Sequence, residues 1–239
     1  MQPLDDNFRF DGFDRAITLT LLAFAATACS SDNSTTSPPT PSAISVSSGG
    51  AQTATVNTVL TAPVVVEITS ANGVPVAGVA VTFTPNATSG AVSSTSVTTD
   101  ANGLAQVNWT LGTVAGADSL TATAGTLTTV IVATAAAGAA TNVAVVSGND
   151  QTATAGSTLS SALTVKVTDA FGNAVSNASV QWSDDAGGTF STTTTLTDAN
   201  GLATVLYTLG PSAGTADVMA SLSTGGSSPV TTMFTEVAD

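Results

Sequence analysis

The chain has 239 residues, with sixteen Asp or Glu against three Lys or Arg, no His, one Cys and a net charge of −13. Arg9 and Arg15 precede Cys29, so only Lys166 is cationic beyond it, and such a chain cannot displace counterions from a phosphate backbone, which excludes nucleic-acid binding. The lack of His removes the imidazole base, the Ser–His pair and any His-ligated metal, and a lone Cys forbids an intrachain disulfide.

In chain order, residues 1–28 read as a lipoprotein-type signal peptide. Residues 16–28 form an apolar run directly after Arg15. A bilayer span needs about 20 apolar residues, so this shorter run fits the apolar region of an export signal instead. Ala26-Thr-Ala-Cys29 is similar to a lipobox, with Ala26 where Leu is commoner. That pattern makes Cys29 the candidate lipidation site; the plainer reading is an accidental buried thiol. Four Asp (Asp5, Asp6, Asp11 and Asp14) lie in the same leader, unlike a basic start. Residues 29–41 are rich in Ser, Thr and Pro and offer nothing apolar to bury, so they are expected to be a disordered tether.

Beyond the tether the sequence repeats. Thr99-Asp-Ala-Asn-Gly-Leu-Ala105 returns unchanged as Thr197-Asp-Ala-Asn-Gly-Leu-Ala203, displaced by 98 residues (197 − 99), and Gln52-Thr-Ala-Thr55 returns at Gln151, displaced by 99 (151 − 52). A repeat of this size is a whole domain, not a solenoid unit. The expected organisation is one domain over 42–138 and a second over 139–239.

Each copy alternates apolar and polar residues with period two, as half-buried antiparallel strands do. In the first copy the apolar phase runs through Ile44 and Val46; Val64, Val66 and Ile68; Val79, Val81 and Phe83; Ala105, Val107, Trp109 and Leu111; Leu120, Ala122 and Ala124; and a closing strand over 127–133. The second copy matches with Val143 and Val145; Leu163, Val165 and Val167; Ala178, Val180 and Trp182; Ala203, Val205, Tyr207 and Leu209; and Val218, Ala220 and Leu222. No segment carries an apolar stripe of helical period. The fold class expected is all-β: two tandem immunoglobulin-like sandwiches of about seven strands each. The joining residues 135–141 are short and Ala-rich, which predicts a semi-rigid pair.

The repeated heptapeptide reads as a turn. Asp100 and Asp198 accept hydrogen bonds from N–H groups two residues on, Asn102 and Asn200 follow, and Gly103 and Gly201 take positive φ before Leu and Ala open the next strand. An Asn-Gly-x-Pro-Val-x-Gly-Val-x-Val-x-Phe run over 72–83, then Thr-Asp-Ala-Asn-Gly-x-Ala and a strand ending in Thr110-Leu-Gly112, resembles the bacterial Ig-like group 1 domains of the invasin and intimin family. Residues 172–182 and 197–210 carry the pattern more loosely. The resemblance implies sandwiches in a cell-surface stalk that presents or forms an adhesive tip; it carries over no receptor.

The expected protein is therefore a non-enzymatic, exported lipoprotein at the outer membrane or cell surface, held through an N-terminal lipid, or else secreted. Its partner would be an unknown protein or glycan at that surface. The alternative is a carbohydrate-binding or extracellular-matrix accessory module, with Trp109, Trp182 and Tyr207 as stacking platforms. Because Phe83 and these three are in phase with Val and Leu, a core role is the stronger expectation. Phe171, in the Asp169-Ala-Phe-Gly-Asn173 turn, is the one candidate contact aromatic. Asp100, Asp118, Asp169, Asp184, Asp185 and Asp198 lie near expected loops, but no Asp-x-Asp-x-Asp-Gly run exists, so no metal is expected. No cofactor is expected either, and Asp184 and Asp185, being adjacent, would point to opposite faces of a strand and make a poor catalytic pair.

Overall fold

The computed structural model describes residues 37–222 and 229–239. The signal peptide, Cys29 and most of the tether lie outside the described residues. Residues 37–42 are exposed and form no strand. Pro39–Asp239 form one compact unit.

The first module contains β1 (Ala43–Ser48), β2 (Thr53–Thr55), β3 (Val64–Thr69), β4 (Ala80–Pro85) and β5 (Ala91–Val92). It continues with β6 (Ser96–Thr98), β7 (Leu104–Val107), β8 (Trp109–Thr110), β9 (Gly116–Ala124) and β10 (Leu127–Ala136). A three-stranded sheet, β1-β3-β7, and a five-stranded sheet, β2-β10-β9-β4-β6, enclose the core, with the pair β5-β8 at one corner. The second module repeats the series as β11 (Asn142–Ser147), β12 (Thr152–Ala153), β13 (Leu163–Thr168), β14 (Ser179–Asp184) and β15 (Thr189–Phe190). Its last five are β16 (Thr194–Leu196), β17 (Leu202–Val205), β18 (Tyr207–Thr208), β19 (Gly214–Leu222) and β20 (Val230–Ala238). The sheets are β11-β13-β17, β12-β20-β19-β14-β16 and β15-β18, the same order as in the first module.

The period-two pattern explains the layering. On β3, Val64, Val66 and Ile68 are fully buried while Val65, Glu67 and Thr69 are half-buried. Each buried Val or Ile contributes roughly 1.5–3 kcal/mol relative to exposure, so a one-residue register slip would forfeit the whole set. The two modules have separate cores, one around Phe83, Trp109 and Leu120, the other around Trp182, Tyr207 and Phe234.

The ten assigned strands per module, against about seven expected, include the short β5 and β6, and two strands are cut as the chain passes from one sheet to the other. β1 pairs antiparallel with β3, whereas β2 pairs parallel with β10. Likewise β7 belongs with β3 and β8 with β5. Alternation cannot reveal the second crossing, since Ala105, Val107, Trp109 and Leu111 all stay buried straight through it. Nor does it reveal a parallel pairing. The first crossing has its own hardware: Gly49 has φ 79°, and a Cβ there would collide with the Pro63 carbonyl. Gln52 then clamps the bend, donating from Nε2 to Gly49 O (2.8 Å) and Ala62 O (2.9 Å) and accepting from Ala62 N–H at 3.0 Å. Gln151 repeats this with Gly148 O (2.7 Å), Ser161 O (2.9 Å) and Ser161 N–H (2.8 Å).

Candidate functional site

The repeated turns are built alike. Asp100 Oδ1 accepts from the N–H groups of Asn102 (2.8 Å) and Leu104 (3.0 Å), and Asp198 Oδ1 from those of Asn200 (2.8 Å) and Leu202 (2.9 Å). The Leu104 N–H is the main cause holding the Asp100 carboxyl below the usual carboxylate range; Leu202 does the same for Asp198. Gly103 and Gly201 take φ of 70° and 74°. In both turns the Oδ1 is engaged by two backbone N–H groups, which is a structural role.

The aromatics are interior. Trp109 and Tyr207 are 0% exposed, Phe83 1% and Trp182 3%. Their polar atoms are satisfied inside: Trp109 Nε1 donates to Ser89 O (2.7 Å), Trp182 Nε1 to Thr195 Oγ1 (2.9 Å) and Tyr207 O–H to Asp184 Oδ2 (3.0 Å). Burial, reinforced by the Asp184 hydrogen bond, pushes the Tyr207 phenol well above its ordinary pKa. No face of Trp109, Trp182 or Tyr207 is left for a sugar ring to stack on.

The acids separate into distinct roles. Asp118 lies within β9 rather than a loop, buried, with Oδ2 accepting from Gly112 N–H at 2.8 Å. Asp184 Oδ2 also accepts from Ala186 N–H (3.1 Å) and Gly188 N–H (2.7 Å), and Asp185 Oδ1 from Asp217 N–H (2.9 Å). Among the described residues no group of three or more His, Cys, Asp or Glu gathers as metal ligands would. One acid escaped sequence reasoning: Glu236 is fully buried on β20, its Oε2 accepting from Gln151 N–H (2.7 Å) and its Oε1 without a partner. Its phase with Phe234 and Ala238 was the available signal. Burial pushes its carboxyl pKa up.

The site with most consequence is the joint between the modules. Asp169 is buried, with Oδ1 accepting from the N–H groups of Phe171 and Asn173, both at 2.9 Å. Its Oδ2 accepts from Asn173 Nδ2 (2.9 Å) and from Gly138 N–H (2.8 Å) in the connecting segment. Asn173 then crosses to the first module: Oδ1 accepts from Ala115 N–H (2.8 Å) and Nδ2 donates to Thr113 O (2.9 Å). Burial opposes ionisation of Asp169, but hydrogen bonds from Asn173, Gly138 and Phe171 outweigh it and hold the carboxyl below its usual range. The corresponding loop of the first module has Ser70 and Val74 in these places and makes only its own turn, Val74 N–H to Ser70 Oγ at 3.2 Å. Phe171 is 48% exposed and sits in this joint loop. Asp169 was visible in the sequence as a loop acid; its grip on the connecting segment was not, because only the fold brings Gly138 to it.

Residues 142–235 match the family described as bacterial Ig-like domain (group 1). Among solved structures, InvD of Yersinia pseudotuberculosis is similar at 24% identity and a TM-score of 0.53, over 78% of this chain and 54% of that one. The Yersinia pseudotuberculosis adhesin InvE aligns at 19% identity and a TM-score of 0.39, over 82% and 58% of the two chains. FdeC, an Escherichia coli adhesin, aligns at 17% identity and a TM-score of 0.48, over 82% and 65%. The chain thus spans less than two thirds of each of these proteins. No curated protein matches it.

Proposed function

We propose, from the premise that residues 142–235 are a bacterial Ig-like domain of group 1, that residues 42–138 are a second such domain and that the pair is a semi-rigid, non-enzymatic stalk at the bacterial surface. The observation that carries this reading is the Asp169–Asn173 joint. Two sandwiches tied only by chain would swivel; here one side chain, Asn173, holds both an N–H and a carbonyl of the neighbouring module. Rigidity of that kind serves reach, which is what an adhesion stalk needs. Its ligand would be a protein or glycan of the surroundings. The Ala26-Thr-Ala-Cys29 motif supports anchoring through a lipid on Cys29, with residues 29–41 as the tether. Burial of Trp109, Trp182 and Tyr207 weighs against the carbohydrate-binding alternative, and the lack of His with engaged carboxylates weighs against catalysis.

Small-angle X-ray scattering of residues 42–239 tests the stalk. The parent should show the extended maximum dimension and narrow profile of a straight pair, and Asn173→Ala should give a more compact, averaged profile. A parent that already scatters as two freely jointed bodies would overturn the reading. Detergent-phase partition, lost on Cys29→Ser, tests the anchor; unchanged partition would leave a secreted form.

A further inference from the structure

The outer face of the second module's larger sheet carries an apolar strip that its core does not use. Ser183, Met219 and Met233 are cross-strand neighbours on β14, β19 and β20, and Asp217 and Thr235 form the next pair. Met219 is 41% exposed, Met233 58% and Val237 41%. Asp184, Asp185 and Asp217 border the two methionines around a shallow hollow of about 260 Å³. Among the described residues no cation answers these carboxylates: Lys166, the single cation after Arg15, is on β13 of the other sheet.

The first module is an internal control. Its matching row is Thr84, Thr121 and Val130, followed by Ser119 and Val132. The sandwich therefore forms with no acid and no methionine on this face. Val130 and Val132 are exposed there too, so what distinguishes the second module is flexible thioethers ringed by negative charge.

We infer that this Met219–Met233 face is a docking surface for a basic, partly apolar protein segment. Charge chooses the occupant. A second copy of this chain is itself strongly acidic and would be repelled, as would an anionic membrane or a nucleic acid. A segment with Lys or Arg meets the carboxylates of Asp185 and Asp217, while its apolar side chains reach Met219 and Met233, whose unbranched, polarizable chains adapt to varied shapes. The spacing agrees: Asp217 and Met219 are two residues apart on one strand, about 6.8 Å, and an extended peptide presents a cation and an apolar residue at that same interval. This names the partner chemistry of the proposed stalk and rests on that reading.

The probe is a synthetic octapeptide alternating Lys and Leu on one face with Thr on the other, and its control has Glu for Lys. Apart from Met1, the only methionines are Met219 and Met233, so methyl-¹³C-methionine NMR of the full chain reports this face directly. The Lys peptide should shift both methyl signals, with an apparent Kd weakened about tenfold or more between about 50 and 500 mM salt. The Glu peptide should leave them unmoved. Asp185→Asn with Asp217→Asn, which keeps the hydrogen-bond acceptors, should abolish the shift. Met219→Thr with Met233→Val installs residues the first module already tolerates; read by calorimetry, it should weaken binding. No shift at millimolar peptide, equal shifts with the Glu peptide, or shifts that survive the double Asn change would overturn the proposal. Methionine signals that move with protein concentration alone would assign the face to a second copy and overturn it equally. Scattering from the joint does not involve this face, so its failure would leave the stalk standing.

Discussion

The two modules share one fold and one strand order, yet place a buried acid on opposite members of the same strand pair. In the first, Asp118 on β9 faces Ala133 on β10; in the second, Ala216 on β19 faces Glu236 on β20. All four are buried. The sandwich thus accommodates one carboxyl at this spot from either strand, but the two acids are not equally served. Asp118 reaches Gly112 N–H across a short distance. Glu236, one methylene longer, reaches Gln151 N–H with one oxygen and leaves the other unpartnered. The strand that carries the acid, and with it the N–H that the acid meets, differs between the module with the polar defect and the one without.

The largest expected effect breaks the modules apart energetically. Trp109→Ala should destabilise the first module, and Tyr207→Ala the second, each by about 3–5 kcal/mol. Because the cores are separate, scanning calorimetry should show one transition lost or lowered and the other retained. A uniform downward shift of both would mean a single cooperative unit.

Next come the turn glycines. Gly103→Val and Gly201→Val both force a Cβ into left-handed backbone, at about 1–2 kcal/mol, and add collisions. A Cβ on Gly103 would lie 2.6 Å from Ile68 O and 2.9 Å from Val76 N, whereas on Gly201 only Val167 O, at 2.5 Å, is closer than 3 Å. The first module should therefore suffer more than the second. Millimolar calcium should rescue neither melting temperature, and a calcium-dependent rise of several degrees would turn these carboxylates into a metal site.

Smaller again is the effect of the acid itself. Glu236→Gln replaces the ionisable carboxyl with a neutral amide, so the stability of the variant relative to the parent should rise with pH. The folded carboxyl has its pKa raised. Its contribution is therefore fully present below about pH 4.3, the unfolded value, and is lost as pH rises through the folded value. The advantage of Gln should accordingly shrink toward acid. Asp169 behaves in the opposite sense: its lowered pKa gives stability present above about pH 3.9 and lost as pH falls through the folded value. Melting of the parent and the Glu236→Gln variant between pH 4 and 8 checks the first, and melting of the parent between pH 2 and 4 the second; a Gln advantage growing toward acid would contradict the assignment.

Alternation and the heptapeptide made most strands, their buried faces and the turn chemistry legible, because each depends on residues near in sequence. Gln52-Thr-Ala-Thr55 was legible as a repeat, but not as the clamp at a sheet crossing, since its partners Gly49 and Ala62 meet only after the chain bends. The joint was less legible still. Asp169 and Asn173 look like one more Asx turn, and their partners Thr113, Ala115 and Gly138 lie 31 to 60 residues away. Glu236 was hidden by the rule that alternation marks apolar residues.

On the stalk reading, Asn173 and Asp169 hold the two sandwiches in one orientation. Spin labels at the exposed Thr128 and Thr231, one on the last strand of each module, allow a pulsed electron paramagnetic resonance distance measurement. A single narrow distribution in the parent, broadening on Asn173→Ala, is the predicted result. A broad distribution in the parent, or one that Asn173→Ala leaves unchanged, would contradict it.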